Sequence, residues 1–359
     1  MIDRPLLYAA LALFIGGMLI LTSASMVLSY KTFGSVGGYA FRQLLYGGGL
    51  GLLAMLVFSR LQYRTWRRFA LPLLLVSFAV MALIFIPQLG FTAGGATRWL
   101  KLGPITFQPS EILKLSFIIY LASWLDARRR EVASVSYGMI PFLLMLSVVG
   151  VFLVMQPDIG TLFVIAVTGG LMYFLGGGKV SQVIAIVLFG ATGFYLLARL
   201  APYRIARLLV FLNPWSEPQG AGYQITQAFI AIGSGGFWGL GFGRGVQKYQ
   251  YLPEPMGDSV FAVFAEEMGF LGALALVTLF IFLFWRGMKI AKDAPDVFGK
   301  LLASGIAIGM MSQAFVNMAA ISGLLPLTGI PLPFVSYGGT SLAATLASMG
   351  ILMNISRYR

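Results

Sequence analysis

The sequence predicts an all-α polytopic membrane protein with ten transmembrane helices. Three observations carry this prediction: 58% of the 359 residues are hydrophobic, only 10% are charged, and long apolar runs recur along the whole chain. A soluble domain carries about 25% charged residues, and no stretch between the apolar runs is long enough to bury a core of its own. We therefore expect residues 1–359 to form one transmembrane domain.

Most of the ten predicted helices match the length that a bilayer requires, which is about 17–25 residues for a helix that crosses the hydrocarbon core. The fourth and sixth are short for a span, and the fourth begins at Pro109, so we expect tilted or broken helices there. In chain order the predicted spans are 6–28, 43–59, 68–87, 109–125, 136–156, 160–176, 180–199, 259–285, 300–325 and 335–356.

The lysines and arginines between the spans predict the orientation of the chain. Short cytoplasmic loops are enriched in these residues, and a cytoplasmic N-terminus places the largest clusters on that side. An even number of spans then returns the C-terminus to the cytoplasm. The clusters assigned to the cytoplasm are Arg60, Arg64, Arg67 and Arg68, then Arg128, Arg129 and Arg130, then Lys179, then Arg286, Lys289 and Lys292, and finally Arg357 and Arg359.

This orientation exposes three long outer loops, at residues 30–42, 88–108 and 200–257. The third, between the seventh and eighth helices, is the longest, and loops above about 15 residues are usually functional. Within it, residues 203–211 predict an amphipathic helix in the membrane interface, and residues 222–232 predict a second short helix.

Composition excludes several classes of function. The net charge is +13, but the cations lie in short loops between apolar runs, so they indicate topology and no nucleic-acid partner is expected. The chain contains no cysteine and no histidine, which excludes disulfides, thiol nucleophiles and histidine bases. No phosphate-binding loop motif is present, so we expect no nucleotide cofactor. Proton transfer must rely on carboxylates, lysine or tyrosine.

Four acids cluster where the third outer loop enters the eighth predicted helix: Glu254, Asp258, Glu266 and Glu267. An acid at the centre of a membrane helix costs about 2.5–3.5 kcal/mol, so a function is expected of them. Asp258 can cap the helix, act as a general base or bind a divalent cation. Glu266 and Glu267 can instead form a structural polar network, with Lys114 as a candidate partner.

A second charged group opens the fourth predicted helix. Glu111 suits the first turn and lies three residues before Lys114, so the two side chains can pair. Lys114 can serve only in that ion pair or can also contact an anionic substrate. Asp158, at the outer turn between the fifth and sixth helices, can cap a helix or face the same cavity as Asp258.

Cations in the outer loops oppose the usual charge bias of membrane proteins. A cluster of cations over an acid would suit a phosphate-bearing lipid, since arginine and lysine bind phosphate oxygens. These outer cations are Arg98, Lys101, Arg199, Arg204, Arg207, Arg244 and Lys248.

Several sequence blocks, in order along nearly the whole chain, resemble the SEDS family (shape, elongation, division and sporulation), which includes FtsW, RodA and SpoVE. Two of them, NPW and the QK pair that opens QKYQYLPEP, are more similar to the FtsW branch than to the RodA branch. The blocks are GGATRWLKLG (94–103), FQPSEILKL (107–115), QPDIGT (156–161), NPW (213–215), GYQITQA (222–228), GSGGFWGLGFG (233–243), QKYQYLPEPMGDSVFAVFAEEMG (247–269) and GLLPLTGIPLPFVSYGGTS (323–341).

The resemblance implies a peptidoglycan glycosyltransferase in the bacterial cytoplasmic membrane. Its substrate would be lipid II, a disaccharide-pentapeptide carried on undecaprenyl pyrophosphate. The 4-hydroxyl of an acceptor sugar would attack the anomeric carbon of a donor outside the membrane, with inversion, and undecaprenyl pyrophosphate would leave. The resemblance also implies a class B penicillin-binding protein, a transpeptidase, as the partner alongside membrane lipids.

Position by position, the resemblance makes Asp258 the implied general base and brings Arg98, Trp99, Glu111, Lys114 and Asp158 into the family's substrate-binding blocks. Arg204, Arg207 and Lys248 are further candidate substrate contacts, and Asp258 is a candidate ligand for Mg²⁺ or Mn²⁺. One departure stands out. Many family members read His-Thr-Asp-Phe where this chain reads MGDS at residues 256–259, so the work of that histidine is dispensable here or is done otherwise.

Two other functions remain open from the sequence. A lipid II flippase of the same fold would need polar residues at both membrane faces, whereas a polymerase needs them only on the outer side. Beyond Lys114 and Glu267, toward the cytoplasm, the spans offer only scattered serines and threonines and Asn317. This distribution favours the polymerase. A scaffold that only recruits other wall enzymes would leave the intramembrane acids without a role.

Overall fold

The computed structural model describes residues 2–93, 95–103, 105–199, 205, 209–215, 220 and 222–358. The candidate substrate contacts Arg204 and Arg207 therefore lie outside the described residues. The described helices are α1 (Arg4–Phe33), α2 (Gly38–Arg60), α3 (Thr65–Leu83), α4 (Pro109–Ala127), α5 (Val135–Met155), α6 (Ile159–Leu175), α7 (Val180–Arg199), α8 (Tyr223–Gly235), α9 (Val260–Asp293), α10 (Val297–Ile321) and α11 (Gly339–Ser356).

Each predicted span coincides with one of these helices, and α8 occupies the position of the short helix predicted at residues 222–232. Within the described residues, α1, α2, α3, α5, α9 and α10 are long and apolar enough to cross a membrane. The chain is therefore a multi-pass membrane protein. The count of ten spans remains a prediction, because each remaining helix has a shorter apolar part or is more polar.

Both ends of the described chain lie at the same end of the bundle. The Asp3 N–H donates to Ser356 Oγ at 3.1 Å, and the Asp3 carboxylate accepts hydrogen bonds from Arg286 near the end of α9. The Tyr63 N–H, between α2 and α3, donates to Asn354 Oδ1 at 2.8 Å. This arrangement agrees with the prediction that both termini lie on one side of the membrane, together with Arg286.

Helices α10 and α11 form the centre of the bundle, and small residues let their neighbours approach closely. Helix α2 packs along α11 through glycines on both helices. A Cβ on Gly51 would lie 3.0 Å from Ala343 Cα, and a Cβ on Gly350 would lie 2.6 Å from Met55 O. Membrane helices associate through such close contacts because lipid tails provide no hydrophobic driving force between them.

The second outer loop folds into a three-stranded antiparallel sheet, so the all-α prediction was wrong at this point. The strands are β1 (Gly90–Ala93), β2 (Ala96–Leu102) and β3 (Ile105–Phe107), in the order β1-β2-β3. The turn between β1 and β2 contains Gly95 with φ of 75°, a conformation that glycine adopts readily. On β2, Arg98 shares a face with the buried Leu100.

Helix α9 is longer than predicted and is broken at Gly269, where φ is 64° and ψ is −166°. The part after the break, residues 270–293, is about 36 Å long at 1.5 Å per residue. That length alone crosses a hydrocarbon core of about 30 Å. Glu266 and Glu267 precede the break, in the part of α9 that this length does not need, so their place inside the spanning helix remains a prediction.

Candidate active site

Asp258 lies in the loop that leads into α9, and its side chain is half-buried. The side-chain amide of Gln224, on α8, donates from Nε2 to Asp258 Oδ1 at 3.2 Å. The N-cap position of α9 belongs to Ser259 rather than to Asp258. The capping alternative for Asp258 is therefore not the arrangement observed, and the carboxylate is held by a neighbouring helix instead.

The backbone of the Asp258 loop is held from the opposite side by α10 and by the connection between α10 and α11. Three consecutive carbonyl groups of this loop each accept a hydrogen bond, so the main chain below the carboxylate has little freedom. These bonds run from Asn317 Nδ2 to Asp258 O (2.8 Å), from Ser336 Oγ to Gly257 O (2.6 Å) and from the Tyr337 N–H to Met256 O (2.8 Å).

The connection between α10 and α11 is itself tied to α10. Asn317 Nδ2 donates to Ile330 O at 2.8 Å as well as to the Asp258 carbonyl. One turn earlier on the same helix, Gln313 Nε2 donates to Pro331 O at 2.9 Å. Because residues four apart on a helix lie on one face, a single face of α10 positions this connection and the Asp258 loop together.

Arg98 on β2 and the Asp258 carboxylate both lie close to Gly329, which has φ of 69°. The Arg98 guanidinium donates from Nε to Gln156 O at 3.3 Å and from Nη2 to Pro157 O. A Cβ on Gly329 would lie 3.8 Å from Asp258 Oδ2 and 4.0 Å from Arg98 Nη1. The sheet in the second outer loop therefore brings a fixed cation to Asp258.

Tyr337 belongs to the connection that holds the Asp258 loop. Its ring packs edge-on against Tyr39, with ring centroids 5.2 Å apart. Burial raises the pKa of the Tyr337 phenol, and the nearby Tyr39 raises it further, while Arg42 lowers it. A phenol with a raised pKa remains protonated near neutral pH. This tyrosine is therefore a poor general base.

A second charged group lies in a cavity between α4, α6, α10 and α11, with an empty volume of about 540 Å³ that includes its open mouth. Lys114 Nζ donates to Glu111 Oε1 at 2.8 Å and to Gln313 Oε1 at 2.5 Å. The predicted ion pair between Glu111 and Lys114 is thus present, and the Glu111 side chain is only 3% exposed. Polar side chains of Thr168, Thr345 and Ser348 also line the cavity.

Two further predicted substrate contacts, Asp158 and Trp99, differ in how far the protein itself occupies their side chains. Asp158 is buried and caps α6: its Oδ1 accepts from the Thr161 N–H at 3.2 Å, and its Oδ2 accepts from Ser110 Oγ at 3.4 Å. Of its two alternatives, the structure gives Asp158 the helix cap. Trp99 is half-buried on the opposite face of β2 from Arg98, in register with Phe91 on β1.

Lys248 is buried in an ion pair, so the prediction that it contacts substrate was wrong. None of its side chain is exposed. Its Nζ donates to Glu267 Oε1 at 2.6 Å and to Ser23 Oγ at 2.9 Å. The sequence suggested Lys114 as a candidate partner, but the partner of Glu267 is Lys248. Glu266 accepts from the Val246 N–H at 2.8 Å, so the two acids tie the third outer loop to α1 and α9.

We expect Lys248→Met to destabilise the protein by about 3–5 kcal/mol, because it leaves the Glu267 carboxylate buried without its cation. Combining Lys248→Met with Glu267→Gln should recover most of that loss, since no uncompensated charge remains. Thermal unfolding of the purified variants in detergent measures both effects. A single variant as stable as the wild type would contradict the buried pair.

A divalent cation fits this site only with help from a substrate. Within the described part of the chain, no group of three or more acidic side chains lies close enough together to hold a metal ion. Mg²⁺ is commonly bound by one or two carboxylates, with substrate phosphates and waters completing its shell. Asp258 can supply one such carboxylate ligand.

Comparisons with known proteins decide the family. The FtsW/RodA/SpoVE family model, described as a cell cycle protein, matches residues 4–359. The chain belongs to the FtsW/RodA/SpoVE family. Stage V sporulation protein E of Bacillus subtilis (strain 168) is 39% identical over 356 residues, which cover 99% of this chain and 97% of that protein. The probable peptidoglycan glycosyltransferase FtsW of Geobacter sulfurreducens is 41% identical over 354 residues, with 99% and 95% covered.

Comparison with solved structures supports the same family assignment. A chain from a peptidoglycan synthase complex that coordinates polymerization and crosslinking superimposes with a TM-score of 0.82 at 30% identity, covering 99% of this chain and 98% of that one. An aspartate-to-alanine variant of the rod shape determining protein RodA of Thermus thermophilus gives a TM-score of 0.73 at 30% identity, with the same coverage.

Three residues that contact the Asp258 loop were not predicted as site residues from the sequence. Asn317 carried a signal, because a polar residue within a membrane helix is usually functional. Gln224 lies in the GYQITQA block, and Ser336 lies in the C-terminal block PLPFVSYGG. Their hydrogen bonds to the loop join residues 34–79 positions apart in sequence, which no local pattern indicates.

Proposed function

We propose that this chain is a peptidoglycan glycosyltransferase that polymerises lipid II at the outer face of the bacterial cytoplasmic membrane. The names of its FtsW relatives and the synthase complex with the same fold support this activity. The observation that carries the proposal is that the Asp258 carboxylate and the Arg98 guanidinium both lie close to Gly329.

Asp258 is the general base in this proposal. The 4-hydroxyl oxygen of the acceptor sugar attacks the anomeric carbon of the donor, and its proton passes to the Asp258 carboxylate. The bond between the anomeric carbon and the diphosphate oxygen breaks, so the configuration inverts and undecaprenyl pyrophosphate leaves. The hydrogen bond from Asn317 to the Asp258 carbonyl holds the loop of the base in place before substrate arrives, which lowers the cost of orienting it during the reaction.

Arg98 and Lys114 stabilise the negative charge that grows on the departing diphosphate. Arginine is suited to this role because its fork of donors matches phosphate oxygens. A Mg²⁺ or Mn²⁺ ion, held by Asp258 and the diphosphate oxygens, would neutralise further charge. Glu111 and Asp158 shape the cavity through their structural contacts, and Trp99 is the remaining candidate contact from β2.

A class B penicillin-binding protein is the proposed partner, because polymerised strands must then be crosslinked. The solved synthase complex, which coordinates polymerization with crosslinking, supports such a pairing for this fold. We therefore propose that the chain acts as one half of a membrane complex with a transpeptidase.

Reconstitution tests the proposal. The full chain and its transpeptidase partner are placed in liposomes with fluorescent lipid II and Mg²⁺ or Mn²⁺, and the products are separated on a gel. We expect a ladder of glycan strands, and no ladder from the transpeptidase alone. Transfer of lipid II between leaflets without any strands would overturn the proposal and establish the flippase of the same fold.

A further inference from the structure

One side chain contacts the Asp258 carboxylate without a chemical role of its own in the proposed mechanism. The bonds from α10 and the following connection act on the main chain of the loop and not on the carboxylate. Gln224 Nε2 contacts the carboxylate itself, donating to Oδ1 at 3.2 Å, and also donates to Ser259 Oγ at 3.0 Å. The Gln224 amide thus bonds both to the proposed base, Asp258, and to Ser259, the N-cap residue of α9.

The helix that carries Gln224 is firmly seated. Helix α8 buries Ile225, Ala228 and Ala231 against the bundle. At its other end a Cβ on Gly235 would lie 2.1 Å from Ala265 O, so α8 and the first part of α9 touch backbone to backbone. Because α9 begins directly after Asp258, the donor and the acceptor of the Gln224–Asp258 bond belong to two helices that cannot shift independently.

We propose that Gln224 is the positioning residue that orients the Asp258 carboxylate, with Oδ1 held by the amide and Oδ2 turned toward Gly329 and Arg98. This inference rests on the proposed function and names a residue that acts on the proposed general base. An uncharged donor suits the task, since it restrains a carboxylate without neutralising it. A glutamate at the same position would remove the donor and place a second negative charge beside the base.

The chain offers a matched control in Gln227. It is the same residue type on the same helix, one turn further on, and it is also half-buried. Within the described part of the chain Gln227 forms no hydrogen bond to Asp258, in contrast to Gln224. Substitutions at the two positions therefore make the same chemical change to α8, and only one of them touches the base.

The test compares Gln224→Leu and Gln224→Glu with Gln227→Leu and Gln227→Glu in the reconstituted complex. We expect Gln224→Leu to lower kcat about 10–100-fold, a part of what a positioned base contributes, with KM for lipid II within about twofold of the wild type. Gln224→Glu should lower kcat at least as far, since it removes the donor and places a like charge beside the base. The Gln227 variants should retain wild-type kcat and KM.

Each result decides the matter. A wild-type kcat in Gln224→Leu or Gln224→Glu, or an equal loss in the matching Gln227 variant, would overturn the positioning role. Unfolding temperatures identify a variant that has lost its fold, in which case the other substitution of Gln224 decides. The wild-type ladder is measured first: its absence overturns the proposed function itself, whereas a wild-type ladder with an unaffected Gln224→Leu overturns only this inference.

Discussion

Asp258→Asn is expected to slow strand synthesis by about 10²–10⁴-fold, the contribution typical of a positioned general base. Asparagine has the shape of aspartate, and the hydrogen bond from Asn317 reaches the backbone carbonyl of residue 258 rather than its side chain. The variant should therefore fold like the wild type. The rate of strand formation from fluorescent lipid II, with unfolding temperature as a check on folding, measures the effect.

Asp126→Asn provides the control for Asp258→Asn. Asp126 lies at the opposite end of α4 from Glu111 and pairs with Arg67 at 2.8 Å. Pairs with one exposed partner contribute about 0–1 kcal/mol, so this variant should polymerise within about twofold of the wild type. Normal strand synthesis by folded Asp258→Asn would remove the carboxylate from the mechanism.

Lys114→Met is expected to abolish strand synthesis and to destabilise the fold by about 3–5 kcal/mol. The stability loss arises because Glu111, whose side chain is only 3% exposed, would keep its charge without a partner. The activity loss arises because the cavity would lose the ammonium group assigned to the diphosphate. Unfolding temperature and strand formation are measured on the same purified sample.

The double variant Glu111→Gln with Lys114→Met separates these two effects. It removes both charges, so the unfolding temperature should return close to that of the wild type. Strand synthesis should remain absent, because a neutral cavity cannot stabilise the leaving diphosphate. Recovery of strand synthesis together with stability would show that Lys114 serves only the ion pair, and would contradict its assignment to substrate.

The helices could be predicted from the sequence because long apolar runs are conspicuous, and most of them are close to the length that crosses a bilayer. The sheet at residues 90–107 was missed, although β2 alternates in TRWLKL and the adjacent glycines at its hairpin are a recognised turn signal. The break at Gly269 was also missed. Its backbone contacts Gly239, which lies 30 residues earlier: a Cβ on Gly269 would lie 2.3 Å from Gly239 N.

The candidate site, too, could be predicted from the sequence only in part. Asp258 and the pair of Glu111 and Lys114 could be found, because charge in an apolar chain is conspicuous and the pair is three residues apart. Lys248 was misassigned for the opposite reason. A lysine in a glycine-rich outer loop suggests an exposed cation, and its burial depends on Ser23 and Glu267, which lie 225 and 19 residues away.

The most direct test of the account is a structure of the Asp258→Asn variant with its transpeptidase partner and bound lipid II. We predict that the acceptor 4-hydroxyl lies about 2.6–3.2 Å from the side chain of residue 258, the reach of a general base. The donor diphosphate should lie against Arg98 and Lys114. A disaccharide bound at the end of the bundle that holds Asp3 and Arg286, or one held away from residue 258, would contradict the account.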